Sequence, residues 1–185
     1  MALAVALAAC GSKKPARHRD DAAVPAAGVK ARVLDDAGLA ALAAVTVDTY
    51  TVDVVQRGPE FGAVIRGGAA SATVTVSGCL TCTPIDLARW EAERASLTAL
   101  FAPAAGDTLA LAAVDRAGRP VIEARARRTV EGAPEAFVFD TWNDGTTQLV
   151  ASCEQPGGAD AERACSELVE ASTEAYLPVL APAGR

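Results

Sequence analysis

The residues with the most distinctive chemistry in this chain are its cysteines, two of which stand close together in Cys79-Leu80-Thr81-Cys82. A helix is predicted directly after them, with Thr83 as its N-cap, Pro84 at its first position and Asp86 at its third. The positive end of a helix dipole stabilises a thiolate, so this pair could exchange disulfides with a substrate. The same pair could instead form a structural disulfide or supply two ligands of a metal site.

The surroundings of this C-x-x-C motif favour a structural bridge. The motif resembles that of thioredoxin-type oxidoreductases, but their fold continues into a βαβ crossover, whereas this chain returns through predicted hairpins. A metal site would need further ligands, and the chain's one histidine, His18, lies far away; Thr83 also stands where a c-type haem motif requires histidine. We therefore expect no metal and no cofactor, and we keep thiol-disulfide oxidoreductase activity of Cys79 and Cys82 as the alternative function.

A third cysteine, Cys10, closes a short apolar segment that begins at Met1. The stretch Leu7-Ala8-Ala9-Cys10 resembles the lipobox of bacterial lipoproteins: an aliphatic residue, two small residues and cysteine. The resemblance implies that residues 1–9 are a signal peptide cut before Cys10, and that Cys10 then carries a diacylglyceryl group and an acylated amino terminus. The apolar run is far shorter than the roughly 20 residues of a membrane-spanning helix, which fits a signal peptide. The run departs from the usual pattern in lacking a preceding basic residue.

The segment after Cys10, residues 11–32, is predicted to be a flexible tether. It holds six Lys or Arg and two Asp, a net charge of +4, so the rest of this chain of net charge −6 carries −10. Basic residues beside a lipid anchor are attracted to anionic head groups, at about 1 kcal/mol each, while an acidic domain is repelled from membranes and nucleic acid. Gly11 does not resemble the aspartate that retains lipoproteins of enteric-type bacteria at the inner membrane. We expect the outer membrane, facing the periplasm, and no nucleic-acid partner.

Four cysteines remain after Cys10, an even number in the oxidising compartment that the lipobox implies, and they allow three pairings. Cys153 ends a predicted strand, and Cys165 lies on the buried face of the last predicted helix, across a short glycine-containing turn. We expect a structural disulfide between these two. Cys79 and Cys82 then pair by elimination.

Carboxylates offer weaker candidate sites. Asp48 with Asp53, or Asp140 with Asp144, could act as paired carboxylates in hydrolysis, but acidic residues on exposed strand faces and turns explain them more simply. A Ser-His-Asp triad cannot form in a domain without histidine, and no nucleophile elbow, phosphate loop or zinc-protease motif occurs. We therefore expect no catalytic residues.

Basic side chains cluster at Arg125, Arg127 and Arg128. They could bind an anion. Charge of one sign along a strand more often protects the edge of a sheet, and we expect that role here.

Hydrophobic periodicity predicts helices separated by hairpins. Short helices and strands come first: a helix from Asp35 or Asp36 to Ala44, then strands over Val45–Val55, Phe61–Arg66 and Ala70–Ser77. The helix after the C-x-x-C motif runs to about Phe101, and a stripe of small residues should let it approach the sheet closely: Ala88, Ala92, Ala95 and Ala99. Further strands follow at Leu109–Leu111, Val121–Val130, Ala136–Trp142 and Thr146–Cys153. A final helix, Asp160–Tyr176, should stop before Pro178 and bury Cys165, Leu168, Val169, Ser172 and Tyr176.

This order of elements predicts an α+β fold in residues 33–180, with an antiparallel sheet covered by two main helices. The hairpin strand Leu149–Cys153, followed by a turn and a helix holding Cys165, is similar to PsbP-like lipoproteins, which implies an α/β/α sandwich and a binding or assembly role. We expect a lipid-anchored envelope protein with a non-catalytic binding or scaffold domain, whose partner is an envelope protein or a small ligand.

Overall fold

The computed structural model describes residues 34–79, 82–83 and 86–180. The predicted signal peptide, Cys10 and the tether lie outside these residues. The helices are α1 (Asp36–Ala43), α2 (Leu87–Ala92), α3 (Arg94–Phe101) and α4 (Ala159–Leu180). The strands are β1 (Thr51–Arg57), β2 (Glu60–Gly67), β3 (Ala70–Gly78), β4 (Thr108–Arg116), β5 (Arg119–Val130), β6 (Ala133–Asn143) and β7 (Thr147–Pro156).

All seven strands form one antiparallel sheet in the order β1-β2-β3-β7-β6-β5-β4. The sheet consists of two meanders, β1–β3 and β4–β7, joined where β3 pairs with β7 from Ala72 opposite Cys153 to Gly78 opposite Thr147. Helices pack against both faces, which confirms the predicted α+β class.

The larger core lies between α4 and one face of the sheet. Alternate residues of β2, β3 and β7 point into it, and α4 adds its buried stripe, including the predicted Cys165, Leu168, Val169, Ser172 and Tyr176. The ring of Tyr176 packs on Phe61 with centroids 5.7 Å apart. The helix continues through Pro178, contrary to the prediction, because burial of Leu177 and Leu180 outweighs the one hydrogen bond that proline removes from the last turn.

A smaller aromatic core lies on the opposite face, under α2 and α3, where Phe101 contacts Phe137 and Phe139 and Trp90 packs on Phe139. The predicted single helix is broken at Glu93 into α2 and α3. The predicted alanine stripe is wrong, since all four alanines are exposed and the larger apolar side chains face the sheet instead.

The first strand starts later than predicted. The β-branched residues before Thr51 include Val47, which is buried in the main core, but Asp48 has φ 36° and the Tyr50 N–H bonds the Val47 carbonyl at 2.8 Å. This turn directs Val47 into the core without strand pairing. The apolar pattern before Thr51 therefore indicates a buried residue and not a strand.

Candidate functional site

Cys79 and Cys82 are joined by a disulfide with their Cα atoms 5.6 Å apart. The loop that they close is anchored on the β6–β7 turn: the Cys79 N–H donates to the Thr146 carbonyl at 2.8 Å. The Cys82 carbonyl oxygen lies 3.8 Å from the position that a Cβ on Gly145 would occupy. The C-x-x-C segment therefore connects the end of β3 to the turn that precedes β7.

The helix after this loop does not start where the sequence predicts. Asp86, and not Thr83, is the N-cap of α2, and its carboxylate accepts a hydrogen bond from the Ala88 N–H at 2.9 Å. Cys82 thus precedes the N-cap by four residues, and the group at the helix end is itself negatively charged. A carboxylate at a helix end disfavours a thiolate beside it, so within the described residues the N-cap of α2 does not favour an ionised cysteine.

Cys153 and Cys165, the pair expected from the sequence, are joined in the structure with Cα atoms 5.3 Å apart. Both are almost wholly buried, at 1% and 0% exposure, and they connect β7 to α4 inside the main core. A bond in this position is shielded from external thiols.

A buried ionic cluster, which we call the Arg116 cluster, lies between β4, β5, β6 and α4. The Arg116 guanidinium contacts Glu123 at 2.9 Å, Asp140 at 3.1 Å and Glu170 at 3.2 Å. Glu123 also accepts two hydrogen bonds from Arg125, at 2.7 and 3.0 Å. Two arginines therefore face three carboxylates, of which Glu123 and Asp140 are buried.

Asp140 is the most deeply placed of these acids, with no exposed surface. Its Oδ2 accepts from Arg116, whereas its Oδ1 has no hydrogen-bond partner among the residues that the structure describes. Burial raises the pKa of Asp140 above its usual range, although the positive charge of Arg116 acts in the opposite direction. The prediction of an exposed surface acid at Asp140 is wrong.

The remaining predicted carboxylates have local structural roles. Asp144 accepts hydrogen bonds from the Thr146 N–H at 2.9 Å, the Thr146 hydroxyl at 2.8 Å and the Thr147 N–H at 2.8 Å. Burial opposes ionisation of Asp144, but these hydrogen bonds outweigh it and hold its pKa below the usual range. Asp53 pairs with Arg66, and Asp48 is the exposed turn residue before β1. The two acids of each suggested pair therefore lie in different surroundings. Asp140 is buried whereas Asp144 is exposed, and Asp53 is paired with Arg66 whereas Asp48 lies in an exposed turn.

The three clustered arginines lie on β5, which has neighbours on both sides, so the predicted role at a sheet edge is wrong. Each is paired with a carboxylate: Arg125 with Glu123, Arg127 with Glu162, and Arg128 with Glu135 and Glu154. Arg125 and Arg127 also line a shallow groove of about 180 Å³ between β5 and α4, whose other charged residues carry both signs.

Sequence reasoning missed the Arg116 cluster. A weak signal was available, because Glu123 and Asp140 each interrupt an apolar stretch of their strand. Assembling the cluster requires the register that places Glu123 opposite Asp140, which periodicity does not supply.

No protein-family model matches this chain, and no curated protein matches it. Among solved structures it is similar to the crystal structure of LpqN, which is involved in cell envelope biogenesis of Mycobacterium tuberculosis. The identity is 14% and the TM-score 0.36, over 66% of this chain and 81% of LpqN. A likeness at this level assigns no activity to the chain. Within the described residues, no helix is both long and apolar enough to cross a membrane.

Proposed function

We propose that this chain is a lipid-anchored protein of the bacterial cell envelope whose folded domain binds a partner or acts as a scaffold without catalysing a reaction. The observation that carries the proposal is Leu7-Ala8-Ala9-Cys10 at the end of a short apolar segment. Cys10 carries the lipid, residues 11–32 form a basic tether, and the acidic domain stands off the membrane. The proposed location is the outer membrane, with the domain facing the periplasm.

The disulfides of the domain support a location in the cell envelope. Cys79, Cys82, Cys153 and Cys165 all take part in disulfides. Stable disulfides are typical of the envelope and rare in the cytosol of most bacteria. A chain exported as a lipoprotein would form both bonds in its oxidising environment.

A structural role for Cys79–Cys82 agrees better with the geometry than an oxidoreductase role. Both cysteines are partly accessible and they pair with each other, as a redox pair requires. However, the loop is held against the β6–β7 turn and Asp86 stands at the start of the helix, so the described residues supply no group that would stabilise a thiolate.

Metabolic labelling of the full chain with a fatty-acid analogue tests the anchor. We expect label on the wild type and on the matched variant Ser12→Ala, and none on Cys10→Ser. Label that persists on Cys10→Ser, or an unlipidated full-length chain in reducing cytosol, would overturn the proposal.

A trapping experiment separates the structural role from the redox alternative. Removing the second cysteine of a redox pair leaves a mixed disulfide between the first cysteine and its substrate. We expect the variants Cys82→Ser and Cys79→Ser to give the same disulfide-linked products, with no discrete mixed disulfide that is specific to Cys82→Ser. A specific adduct formed by one variant alone, together with easy reduction of wild-type Cys79–Cys82 while the domain stays folded, would favour the oxidoreductase.

A further inference from the structure

The groove between β5 and the N-terminal half of α4 has a volume of about 180 Å³. This α4 groove has Arg125 and Arg127 on its β5 wall and Ser166 on its helix wall. The helix packs mainly on β6, β7 and β3. On the same face of β4, Ala110 lies opposite Arg125 and Ala112 lies one pair further along, and both side chains end at Cβ. Space is therefore left between α4 and the margin of the sheet.

The charges that line the α4 groove balance one another. They are three arginines and three glutamates: Arg125, Arg127, Arg163, Glu162, Glu167 and Glu170. A simple anion in the groove would meet three carboxylates, and a simple cation would meet three guanidinium groups. A molecule with separate positive and negative charges avoids both penalties when each charge lies beside its opposite. The lining therefore favours a zwitterion.

Two of these charged groups keep hydrogen-bonding capacity for such a molecule. Arg125 donates through Nε and Nη2 to Glu123, at 2.7 and 3.0 Å, which fixes its guanidinium group and leaves the two N–H bonds of Nη1. Glu167 is exposed and takes part in none of the ion pairs among the described residues. The other four are paired: Arg127 with Glu162, Arg163 with Asp160, and Glu170 with Arg116.

Ser166 supplies an uncharged polar group on the wall of the groove. It is only 8% exposed, and its Oγ has no hydrogen-bond partner within the described part of the chain. A buried hydroxyl left in this way costs about 1–3 kcal/mol. Ser172 of the same helix shows the usual solution, since its hydroxyl donates to the Leu168 carbonyl at 2.6 Å. Ser166 makes no such bond, so its hydroxyl is free to bind a ligand.

We propose that the α4 groove binds the zwitterionic group of a small α-amino acid. Nη1 of Arg125 and the Ser166 hydroxyl donate to the ligand carboxylate, and Glu167 accepts from its ammonium group. The groove is smaller than the roughly 300–1,000 Å³ pockets of drug-sized ligands, which agrees with a ligand of this size. The inference rests on the binding role proposed above for the domain and names its ligand; the lipid anchor plays no part in it.

NMR titration of the full chain in detergent tests the class of ligand. Glycine is the probe, because it carries both charges and no side chain, and acetate and methylammonium at the same ionic strength each carry one of them. We expect glycine to shift the amide signals of Ser166 and Glu167 saturably, with a Kd at least about tenfold below that of either analogue. Absence of a saturable shift with glycine, or an analogue that binds as tightly, would overturn the proposal. Labelling of Cys10, which tests the lipoprotein assignment, is unaffected by that result.

Charge-matched variants of the full chain test where the ammonium group binds. Glu167→Gln should weaken glycine binding roughly tenfold, because it removes a charge-assisted hydrogen bond. Glu174→Gln makes the same change at an exposed position of α4 that does not line the groove, and it should leave the Kd unchanged. Equal effects of the two variants would show that only the overall charge matters, which would refute the site.

Ser166→Ala tests the position of the carboxylate in the same titration. Removing the hydroxyl should weaken glycine binding roughly tenfold, since it donates to a charged group. The melting temperature should not fall, because the hydroxyl that is lost has no partner in the described part of the chain. Unchanged glycine affinity of a folded Ser166→Ala would contradict the proposed site.

Discussion

Replacing Arg116 with Met should destabilise the domain by about 3–5 kcal/mol at pH 7. The side chains of Glu123 and Asp140 are 6% and 0% exposed, and the substitution leaves both carboxylates buried without their shared cation. Arg125 still contacts Glu123, whereas Asp140 loses its partner. Urea unfolding of the full chain, followed by tryptophan fluorescence, measures the loss.

Arg163→Met is the matched control, since its partner Asp160 is 92% exposed and such surface pairs contribute less than about 1 kcal/mol. The pH dependence supplies a second criterion. Arg116 acts to lower the pKa of Asp140, so its removal raises that pKa further above the unfolded value, and stability is then lost as pH rises through this interval. The deficit of Arg116→Met should therefore shrink on acidification. A deficit equal to that of Arg163→Met, or one independent of pH, would refute the assignment of Arg116 as the neutralising charge of the core.

Three further changes have defined outcomes. Replacing Cys153 and Cys165 together by Ala should lower the free energy of unfolding by about 3 kcal/mol, because their disulfide closes a loop with a sequence separation of 12. Thermal unfolding of the oxidised proteins measures this loss of stability, and an unchanged stability would contradict a stabilising role of the bond. Asp144→Ala should lower the free energy of unfolding by about 1–2 kcal/mol at pH 7. Urea unfolding should show that this difference from wild type fades as pH drops through the lowered pKa of Asp144, and a difference that stays constant would exclude the ionised carboxylate as the acceptor. Gly67→Ala should destabilise the domain by roughly 1–3 kcal/mol, because its Cβ would overlap the Tyr50 ring. Gly58→Ala is the control, since a Cβ there has open space, and equal melting temperatures of the two variants would show that Tyr50 moves aside freely.

The parts of the fold that could be predicted are those governed by local pattern. The buried stripe of α4 follows from helical spacing, and the β6–β7 hairpin follows from alternation around Asn143-Asp144-Gly145. Elements whose limits depend on tertiary packing were predicted less well. α4 passes Pro178 because the residues around it are buried, and Val47 enters the core from a turn.

The candidate site shows the same division. Cys153 and Cys165 could be paired because a strand end and a helix face meet across a short turn. The Arg116 cluster combines residues from three strands and a helix, and its members are neighbours only after the register of those strands is known. Sequence spacing carries no information on that register, so the sequence predicts a surface position for Asp140, which the structure buries.

The two disulfides lie near opposite ends of the pairing between β3 and β7. Pairing of β3 with β7 joins the two meanders across about 70 residues of chain, and closing so long a loop costs conformational entropy. Cys79 lies just beyond one end of this joint and Cys153 lies at the other, opposite Ala72. Neither disulfide spans the β3–β7 pairing itself, because Cys79–Cys82 closes a local loop after β3 and Cys153–Cys165 links β7 to α4. The Cys79 N–H also bonds the Thr146 carbonyl, so the first disulfide restrains a loop that contacts the β6–β7 turn, and for this reason we favour a structural role for it.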